Sequence, residues 1–154
     1  MKSKFDYAEQ YASDGIDIFP CDANGKSPLT RHGYKDASSN ANDVERWWKA
    51  YPDANIGMPT GRRNNLVIVD VDIKGGAKGF ESLSQLMSEG VVFDTKTVKT
   101  PSGGYHYYYT YPEGFDRVKN KVNVRPGIDI RADGGYVVAP GSIIDFILNP
   151  IKPF

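Results

Sequence analysis

The sequence has little that would serve export, disulfide formation or zinc binding. It contains one cysteine, Cys21, and two histidines, which excludes an internal disulfide and leaves no Cys/His cluster of the kind that binds zinc. No apolar run approaches the roughly 18 residues needed to span a bilayer. Charged residues (Lys2, Lys4 and Asp6) stand where a secretion signal would need an apolar core. We therefore expect a cytoplasmic protein with no membrane partner.

The sequence also lacks an excess of either charge, with 19 Lys plus Arg against 19 Asp plus Glu. A nucleic-acid partner would therefore have to be held by a local basic patch rather than by global charge. The hydrophobic fraction of 40% and the charged fraction of 25% are typical of a globular chain rather than a disordered one. A length of 154 residues suits one ordinary domain.

Helical and strand patterns are mixed along the chain. Apolar periodicity predicts helices over Ser3–Ser13, from Asn42 or Asp43 to about Ala50, and around Phe80–Met87. Strands are predicted at Ile16–Phe19 (ended by Pro20), Asn55–Met58, Leu66–Ile73, Thr95–Thr100, Tyr105–Tyr111, Ile128–Arg131 and Tyr136–Ala139. The segment between Arg117 and Arg125 is polar and basic. Because turns link the later strands as hairpins, the pattern indicates an α+β fold with a largely antiparallel sheet and flanking helices.

The segment from Leu66 to Ile73, Leu-Val-Ile-Val-Asp-Val-Asp-Ile, is the clearest strand of the sequence. Its apolar run is too short for an ordinary helix and is rich in Val and Ile, which indicates a buried β-strand. Asp70 and Asp72 stand at its end, and residues two apart on a strand point to the same face. A divalent cation such as Mg²⁺ would relieve the repulsion between the two carboxylates. The alternative is a solvated strand end at which both aspartates merely begin a loop.

A third acid, Asp129, lies in the alternating segment Ile128–Arg131. Two-metal phosphoryl-transfer sites need about three carboxylates around ions roughly 3.5–4 Å apart. Asp129 would complete such a site with Asp70 and Asp72. The alternative is a salt bridge between Asp129 and Arg131, which shares its face two residues on.

A glycine-rich turn, Pro101–Gly104, separates two of the predicted strands. Adjacent glycines (Gly103 and Gly104) let backbone N–H groups approach an anion, and Ser102 adds a hydroxyl donor. His106, two residues into the next strand, could bind a triphosphate oxygen. The alternative is a tight hairpin turn followed by a half-buried histidine. The tyrosines at 105, 107, 109 and 111 take the opposite face, where sheet packing is favoured over base stacking.

Basic side chains recur in the polar segments of the sequence. A run without an intervening acid contains Arg117, Lys119, Lys121 and Arg125, and other loops hold Arg62, Arg63, Lys26, Arg31 and Lys35. Such groups could follow a phosphate backbone with salt-sensitive, sequence-independent binding. The alternative is an ordinary solvated charged face.

Taken in order, these motifs resemble the N-terminal domain of bifunctional DNA primase/polymerases, the prim-pol domain of the archaeo-eukaryotic primase superfamily. The resemblance runs through Gly15–Pro20, Lys26–Pro28, Gly33–Ser38, Trp47–Trp48, Asn55–Gly57, Thr60–Gly61 and Gly134–Ser142. The three catalytic motifs of that family resemble Asp70–Asp72, Ser102–His106 and Gly127–Arg131. Such domains are common in plasmid and phage replication proteins, and the resemblance implies an α+β prim-pol catalytic domain over residues 1–154.

The resemblance also implies roles for individual residues. Asp70, Asp72 and Asp129 would hold two Mg²⁺ or Mn²⁺ ions for template-directed nucleotidyl transfer. Ser102, Gly103, Gly104 and His106 would bind the phosphates of a nucleoside triphosphate, assisted by Arg131 and Lys26. Beside these roles, the basic side chains themselves make Arg62, Arg63, Arg117, Lys119, Lys121 and Arg125 the candidate contacts to a DNA template and primer.

The sequence departs from the family after the Pro-Gly-Ser segment. Family members usually continue with a further strand and an accessory priming region, often followed by a helicase. Here the chain reads Ile-Ile-Asp-Phe-Ile-Leu from Ile143 and ends at Phe154, so we expect a shortened C-terminal part. A catalytically weak nucleotide- or DNA-binding module of a replication protein is therefore the alternative function.

Overall fold

The computed structural model describes residues 1–142 and 152–153, so the predicted departure from the family after Ile143 lies almost wholly outside the described residues. The α-helices in the described part are α1 (Lys4–Ser13), α2 (Ala41–Ala50) and α3 (Gly79–Ser88). The strands are β1 (Phe19–Cys21), β2 (Asn55–Pro59), β3 (Leu66–Val71), β4 (Lys96–Lys99), β5 (Tyr105–Thr110), β6 (Lys121–Arg125), β7 (Ile128–Arg131), β8 (Tyr136–Val138) and β9 (Lys152–Pro153). None of these helices is long and apolar enough to cross a membrane. Helices with two antiparallel sheets confirm the α+β class.

The chain divides into two compact units. The first comprises Met1–Pro59 and Tyr136–Ile151, and the second comprises Thr60–Gly135 and Lys152–Phe154, which includes β9. That residues 1–154 form one catalytic domain stays a prediction.

The first unit packs α1 and α2 with a sheet of order β1-β2-β8. A capping box begins α1, because the Ser3 hydroxyl accepts from the Asp6 N–H and the Asp6 carboxylate accepts from the Ser3 N–H. The predicted helix over Ser3–Ser13 is confirmed. Asn40 caps α2, which starts slightly earlier than predicted. Trp48 of α2 is buried in the apolar core.

The prediction that Pro20 ends the first strand is wrong. Pro20 is the middle residue of β1 and pairs with Ile56 of β2. Its carbonyl accepts from the Leu29 N–H, so the polar backbone atoms of this residue face away from β2. Because β1 is an edge strand, the missing N–H of proline costs no hydrogen bond to the sheet.

The second unit is built on an antiparallel sheet of order β6-β7-β3-β5-β4-β9. One face of the sheet carries α3 and an apolar cluster around Val71, Leu83, Tyr107 and Ile128. Tyr105 and Tyr109 join this cluster together with Tyr107, which confirms that these tyrosines serve sheet packing. The even-numbered residues of β3 point to the opposite face of the sheet.

The second unit differs from the sequence analysis in one strand bound and in one strand that was missed. The predicted strand to Ile73 ends at Val71, so Asp72 lies beyond it. Sequence reasoning missed β6, although Lys-Val-Asn-Val-Arg alternates polar and apolar residues as an edge strand does. The predicted helix around Phe80–Met87 is confirmed as α3. Leu83 of this helix is buried, whereas Phe80 and Met87 are 42% and 49% exposed, and the Phe80 ring packs against that of Tyr105 with centroids 5.5 Å apart.

Candidate active site

Three candidate functional side chains lie in a row across the middle of the second sheet. Asp70 of β3 is directly opposite His106 of β5 on one side and Asp129 of β7 on the other. Directly opposed residues in antiparallel strands project to the same face. Arg131, two residues after Asp129 and opposite Ile68, projects there as well. The register therefore collects two acids, a histidine and an arginine from three separate segments of the chain.

Arg131 links the two acids. Its Nη2 atom lies 2.9 Å from Asp129 Oδ2 and 3.4 Å from Asp70 Oδ2. The predicted salt bridge between Asp129 and Arg131 is therefore present, but it is shared with Asp70. All three side chains are more than two-thirds buried, with exposed fractions of 30% for Arg131, 19% for Asp70 and 16% for Asp129. The guanidinium balances carboxylates that would otherwise repel each other.

His106 engages the other oxygen of Asp70. Its Nε2 atom lies 3.3 Å from Asp70 Oδ1, and the imidazole side chain is 12% exposed. The second ring nitrogen, Nδ1, is buried with no hydrogen-bond partner among the described residues. Burial by itself raises the pKa of Asp70, but the hydrogen bond and charge of His106 and the charge of Arg131 outweigh it, so this pKa lies below the usual carboxyl value. Contact between His106 and a nucleotide phosphate stays a prediction.

A bulge in β6 positions Asp129. The residues paired with β7 are Lys121, opposite Ile130, and Arg125, opposite Ile128, so three residues of β6 face Asp129 alone. Asn123 lies in this bulge in the left-handed conformation, with φ of 52°, and its N–H donates to Asp129 Oδ1 over 2.8 Å. Bulges commonly re-aim side chains beside functional sites. Sequence reasoning did not single out Asn123, although asparagine adopts this conformation more readily than most residues.

Asp72 is held at the end of β3 by two glycines. Its N–H donates to the carbonyl of Gly127 and its carbonyl accepts from the N–H of Gly79, over 2.8 and 3.0 Å. A Cβ atom on Gly79 would lie 2.4 Å from the Asp72 carbonyl oxygen, and one on Gly127 would lie 2.4 Å from the Gly79 nitrogen. Only glycine permits these approaches. The exposed Asp72 carboxylate accepts from the N–H of Lys74 over 2.8 Å, as an aspartate that begins a loop does.

The described residues hold no group of three His, Cys, Asp or Glu side chains arranged as metal ligands. Two of the three predicted acids, Asp70 and Asp129, converge on a single cationic nitrogen of Arg131. Paired carboxylate oxygens suit a hard divalent cation, so this donor pair fits one such ion in place of the guanidinium. A site for two ions would also need Asp72, whose exposed carboxylate accepts from the Lys74 N–H through one of its two oxygens.

The Ser-Gly-Gly segment forms the hairpin turn between β4 and β5. The Thr100 N–H donates to the Gly104 carbonyl and the Gly103 N–H donates to the Thr100 carbonyl, each over 2.9 Å. A Cβ on Gly104 would stand 2.1 Å from the Val71 carbonyl oxygen, so this glycine lets the turn lie against the end of β3. Ser102 is exposed, with its hydroxyl 3.3 Å from that of Thr100. Phosphate binding by this turn stays a prediction.

The six predicted DNA-binding side chains differ in their contacts. Arg62 donates to the carbonyls of Phe115 and Asp116, and Arg125 forms a two-point ion pair with Glu89. The remaining members of the set are exposed and comprise Arg63, Arg117, Lys119 and Lys121. Their contact with DNA stays a prediction.

Lys26 belongs to the first unit, whereas the other candidate site residues belong to the second. Its side chain is exposed, and its backbone carbonyl accepts from the Tyr136 hydroxyl over 2.8 Å. Its assistance in nucleotide binding stays a prediction.

Comparison with known proteins agrees with the motif order and the fold. No curated protein matches the chain. A family model described as "Bifunctional DNA primase/polymerase, N-terminal" matches residues 8–149, nearly the whole chain. A domain of this kind has a primase or polymerase role in replication and binds nucleotides and DNA. The match covers all the candidate acids, the Ser-Gly-Gly turn and His106, and the chain belongs to the Prim-Pol family.

Proposed function

We propose that this protein catalyses template-directed nucleotidyl transfer, as a DNA primase or DNA polymerase in plasmid or phage replication. The observation that carries the proposal is the row of His106, Asp70 and Asp129 across three strands, with Arg131 bound to both acids. Buried acids in such a row need a cation, and phosphoryl transfer to a growing strand uses cations held by carboxylates.

In this proposal Asp70 and Asp129 hold Mg²⁺ or Mn²⁺. When bound, the ion neutralises charge on the triphosphate and on the departing pyrophosphate. His106 keeps the Asp70 carboxylate ionised and oriented through its contact with Oδ1. With a cation on the two acids, Arg131 would be available to a phosphate oxygen, for which a guanidinium is well suited. Asp72 would be the further carboxylate of a site for two ions.

The substrate would be a nucleoside triphosphate bound beside the Ser102–Gly104 turn, since the Gly104 contact with Val71 places this turn at the end of β3 that carries the acids. A helicase or an accessory priming domain is a reasonable partner, because priming and unwinding are consecutive steps of replication. The DNA template and primer would follow the exposed basic residues of the second unit.

A catalytically weak nucleotide- or DNA-binding module is the second candidate. One observation favours it, namely that Asp72 stands apart from the other two acids, bound to the Lys74 amide. A single divalent ion between Asp70 and Asp129 would bind a triphosphate without supporting the two-ion reaction.

Primer extension on a primed template in Mg²⁺ or Mn²⁺, beside metal-dependent binding of a labelled nucleotide, separates the two functions. We expect extension by the natural protein and its loss in Asp70→Asn and Asp129→Asn. The exposed Asp14→Asn, in the first unit, is the matched control and should extend normally. Nucleotide binding without extension would establish the binding module, and absence of both would refute the proposed function altogether.

Asp72→Asn decides between one ion and two. Loss of extension with nucleotide binding retained would show that Asp72 joins the site during the reaction. Unchanged extension would show that Asp70 and Asp129 suffice.

A further inference from the structure

The loop between β5 and β6, residues 112–120, presents an aromatic ring to solvent. Phe115 is 60% exposed, whereas phenylalanine is among the residues most often buried. Among the described residues, the ring is not part of the apolar cluster that packs α3 on the second sheet. A single exposed apolar side chain is common on protein surfaces, so a role in binding is inferred from how the backbone beside this ring is held and from the cations that follow it.

Arg62 fixes the backbone on which this ring stands. Its guanidinium Nη2 atom donates to the carbonyl of Phe115 over 2.7 Å and to that of Asp116 over 2.9 Å. The guanidinium carbon lies 4.6 Å from the centroid of the Tyr111 ring, so the group is also stacked. A planar guanidinium held by two acceptors and a ring keeps little freedom of its own.

Asp133 ties the two sides of the loop together. Its Oδ1 atom accepts from the backbone N–H of Arg62 over 2.9 Å, and its Oδ2 atom accepts from the Tyr111 hydroxyl over 2.6 Å and from the Val118 N–H over 3.2 Å. A Cβ on Gly61 would lie 2.4 Å from Asp133 Oδ1, so the neighbouring glycine is needed for this contact. The backbone is therefore held on both sides of Phe115, so little backbone entropy remains to be lost when a ligand contacts the ring.

Positive charge follows the ring along the chain. Arg117, Lys119 and Lys121 are exposed, and no acid occurs between Asp116 and Asp129. The run leads into β6, the edge strand beside β7, whose bulge contacts Asp129. An exposed aromatic ring on a held backbone, followed by spaced cations, is a combination that binds single-stranded nucleic acid, because the ring can stack on a base and the cations can contact phosphates.

We propose that the 112–120 loop binds single-stranded nucleic acid, with Phe115 stacked on one base and Arg117, Lys119 and Lys121 directing the strand along β6 towards Asp129. Arg62 is then a positioning residue rather than the phosphate contact that the sequence suggested. Duplex DNA is a poor ligand for this surface, because its bases are already stacked on one another. The proposal rests on the proposed function, since it places the template beside the candidate catalytic acids.

Fluorescence anisotropy with two labelled single strands of about a dozen nucleotides, oligothymidylate and its abasic equivalent, tests the stacking. Phe115→Ala should weaken oligothymidylate binding roughly tenfold, because one stacked base contributes about this factor. Phe115→Tyr should bind as the natural protein does. On the abasic strand, which offers phosphates but no base, Phe115→Ala and the natural protein should bind equally.

A matched control is Phe80→Ala, which removes a partly exposed phenyl ring from α3 and should leave both strands bound normally. Lys119→Ala should weaken both strands and reduce the slope of log affinity against log salt by about one. Phe115→Ala should leave that slope unchanged.

The role of Arg62 is tested in the same assay. Arg62→Met should weaken oligothymidylate binding as Phe115→Ala does, and the double variant should be no weaker than either single variant, since both act through one ring. Its salt slope should stay at the natural value. A slope reduced by about one would instead make Arg62 a phosphate contact and would overturn its positioning role.

Equal oligothymidylate binding by Phe115→Ala and the natural protein would overturn the stacking proposal, whatever the polymerase assay shows. An equal loss on the abasic strand would also overturn it, because the effect would then not involve a base. If extension fails while the Phe115 dependence of binding is found, the proposed function falls and the binding surface stands.

Discussion

Replacing Arg131 with methionine tests the central electrostatic arrangement of the site. The change removes the guanidinium that contacts both Asp70 and Asp129 over 3.4 and 2.9 Å. At an effective dielectric constant of about 20, each contact is worth roughly 5–6 kcal/mol before the cost of desolvating the guanidinium. Losing one partner of a fully buried pair costs about 3–5 kcal/mol. Since this cluster is partly exposed, we expect the free energy of unfolding at neutral pH to fall by about 2–3 kcal/mol.

The same variant should respond to metal more strongly than the natural protein. With Arg131 gone, a divalent cation no longer competes with a resident positive charge for Asp70 and Asp129. Mn²⁺ at about a hundred times its dissociation constant should restore roughly 2.7 kcal/mol. Adding Asp129→Asn to Arg131→Met should also recover part of the loss, because the two substitutions act on one interaction.

Urea unfolding in EDTA and in Mn²⁺, followed by circular dichroism, measures these changes. Arg125→Met is the matched control, since Arg125 pairs with Glu89 at a more exposed position and should cost no more than about 1 kcal/mol. If Arg131→Met costs no more than this control, the guanidinium does not neutralise the acids. If Mn²⁺ stabilises the variant no more than the natural protein, the two carboxylates do not share a cation, and the proposed metal site is refuted.

Three further predictions concern the backbone and the titration of the site. Gly104→Ala would place a Cβ atom 2.1 Å from a carbonyl oxygen of β3 and should lower the unfolding free energy by about 2–3 kcal/mol. Gly25→Ala, whose Cβ would have its nearest neighbour at 3.6 Å, is the control and should change the unfolding free energy little in the same urea titration. Asn123→Gly keeps the left-handed backbone and the N–H that donates to Asp129, so the Mn²⁺ affinity measured by electron paramagnetic resonance should be retained. Asn123→Val should lower the unfolding free energy by about 1–2 kcal/mol and weaken Mn²⁺ binding. Equal Mn²⁺ affinity in both variants would contradict the positioning role of Asn123. Because the pKa of Asp70 is lowered in the folded protein, the ionised carboxylate stabilises the fold above the unfolded carboxyl pKa of about 4, and this stabilisation is lost as pH falls through the folded pKa. Asp70→Asn should therefore flatten the acid side of the curve of unfolding free energy against pH. An unchanged acid side would contradict the assignment.

Where the apolar pattern is strong, the sequence predicted which segments form strands and which face of the sheet each side chain occupies. Val and Ile around Asp70 indicate a buried strand, and the alternation along β5 places its tyrosines and His106 on opposite faces. The structure confirms both features. The order of short motifs also identified the family, because each motif marks a turn or strand end at a required place.

Contacts that depend on pairing between distant segments could not be predicted. Nothing near Arg131 in the sequence indicates that its guanidinium also reaches Asp70, because that contact depends on the register of β7 against β3. The departure of Asp72 from the strand depends on Gly79 and Gly127, which lie far from it in sequence and meet its backbone only in the folded unit. Phe115 was overlooked because an exposed ring in a polar loop has no periodic pattern to reveal it.

The bulge in β6 has a consequence for insertions and deletions in this chain. Adding one residue within β7 would turn Asp129 towards α3 and bring Ile128 or Ile130 to its place, since side chains alternate along a strand. The edge strand β6 already contains residues around Asn123 that have no pairing partner in β7, although Lys121 and Arg125 on either side remain paired. An added residue is therefore tolerable in the edge strand β6 but would disrupt the candidate site in β7, so the row of His106, Asp70 and Asp129 depends on strand length as much as on residue type.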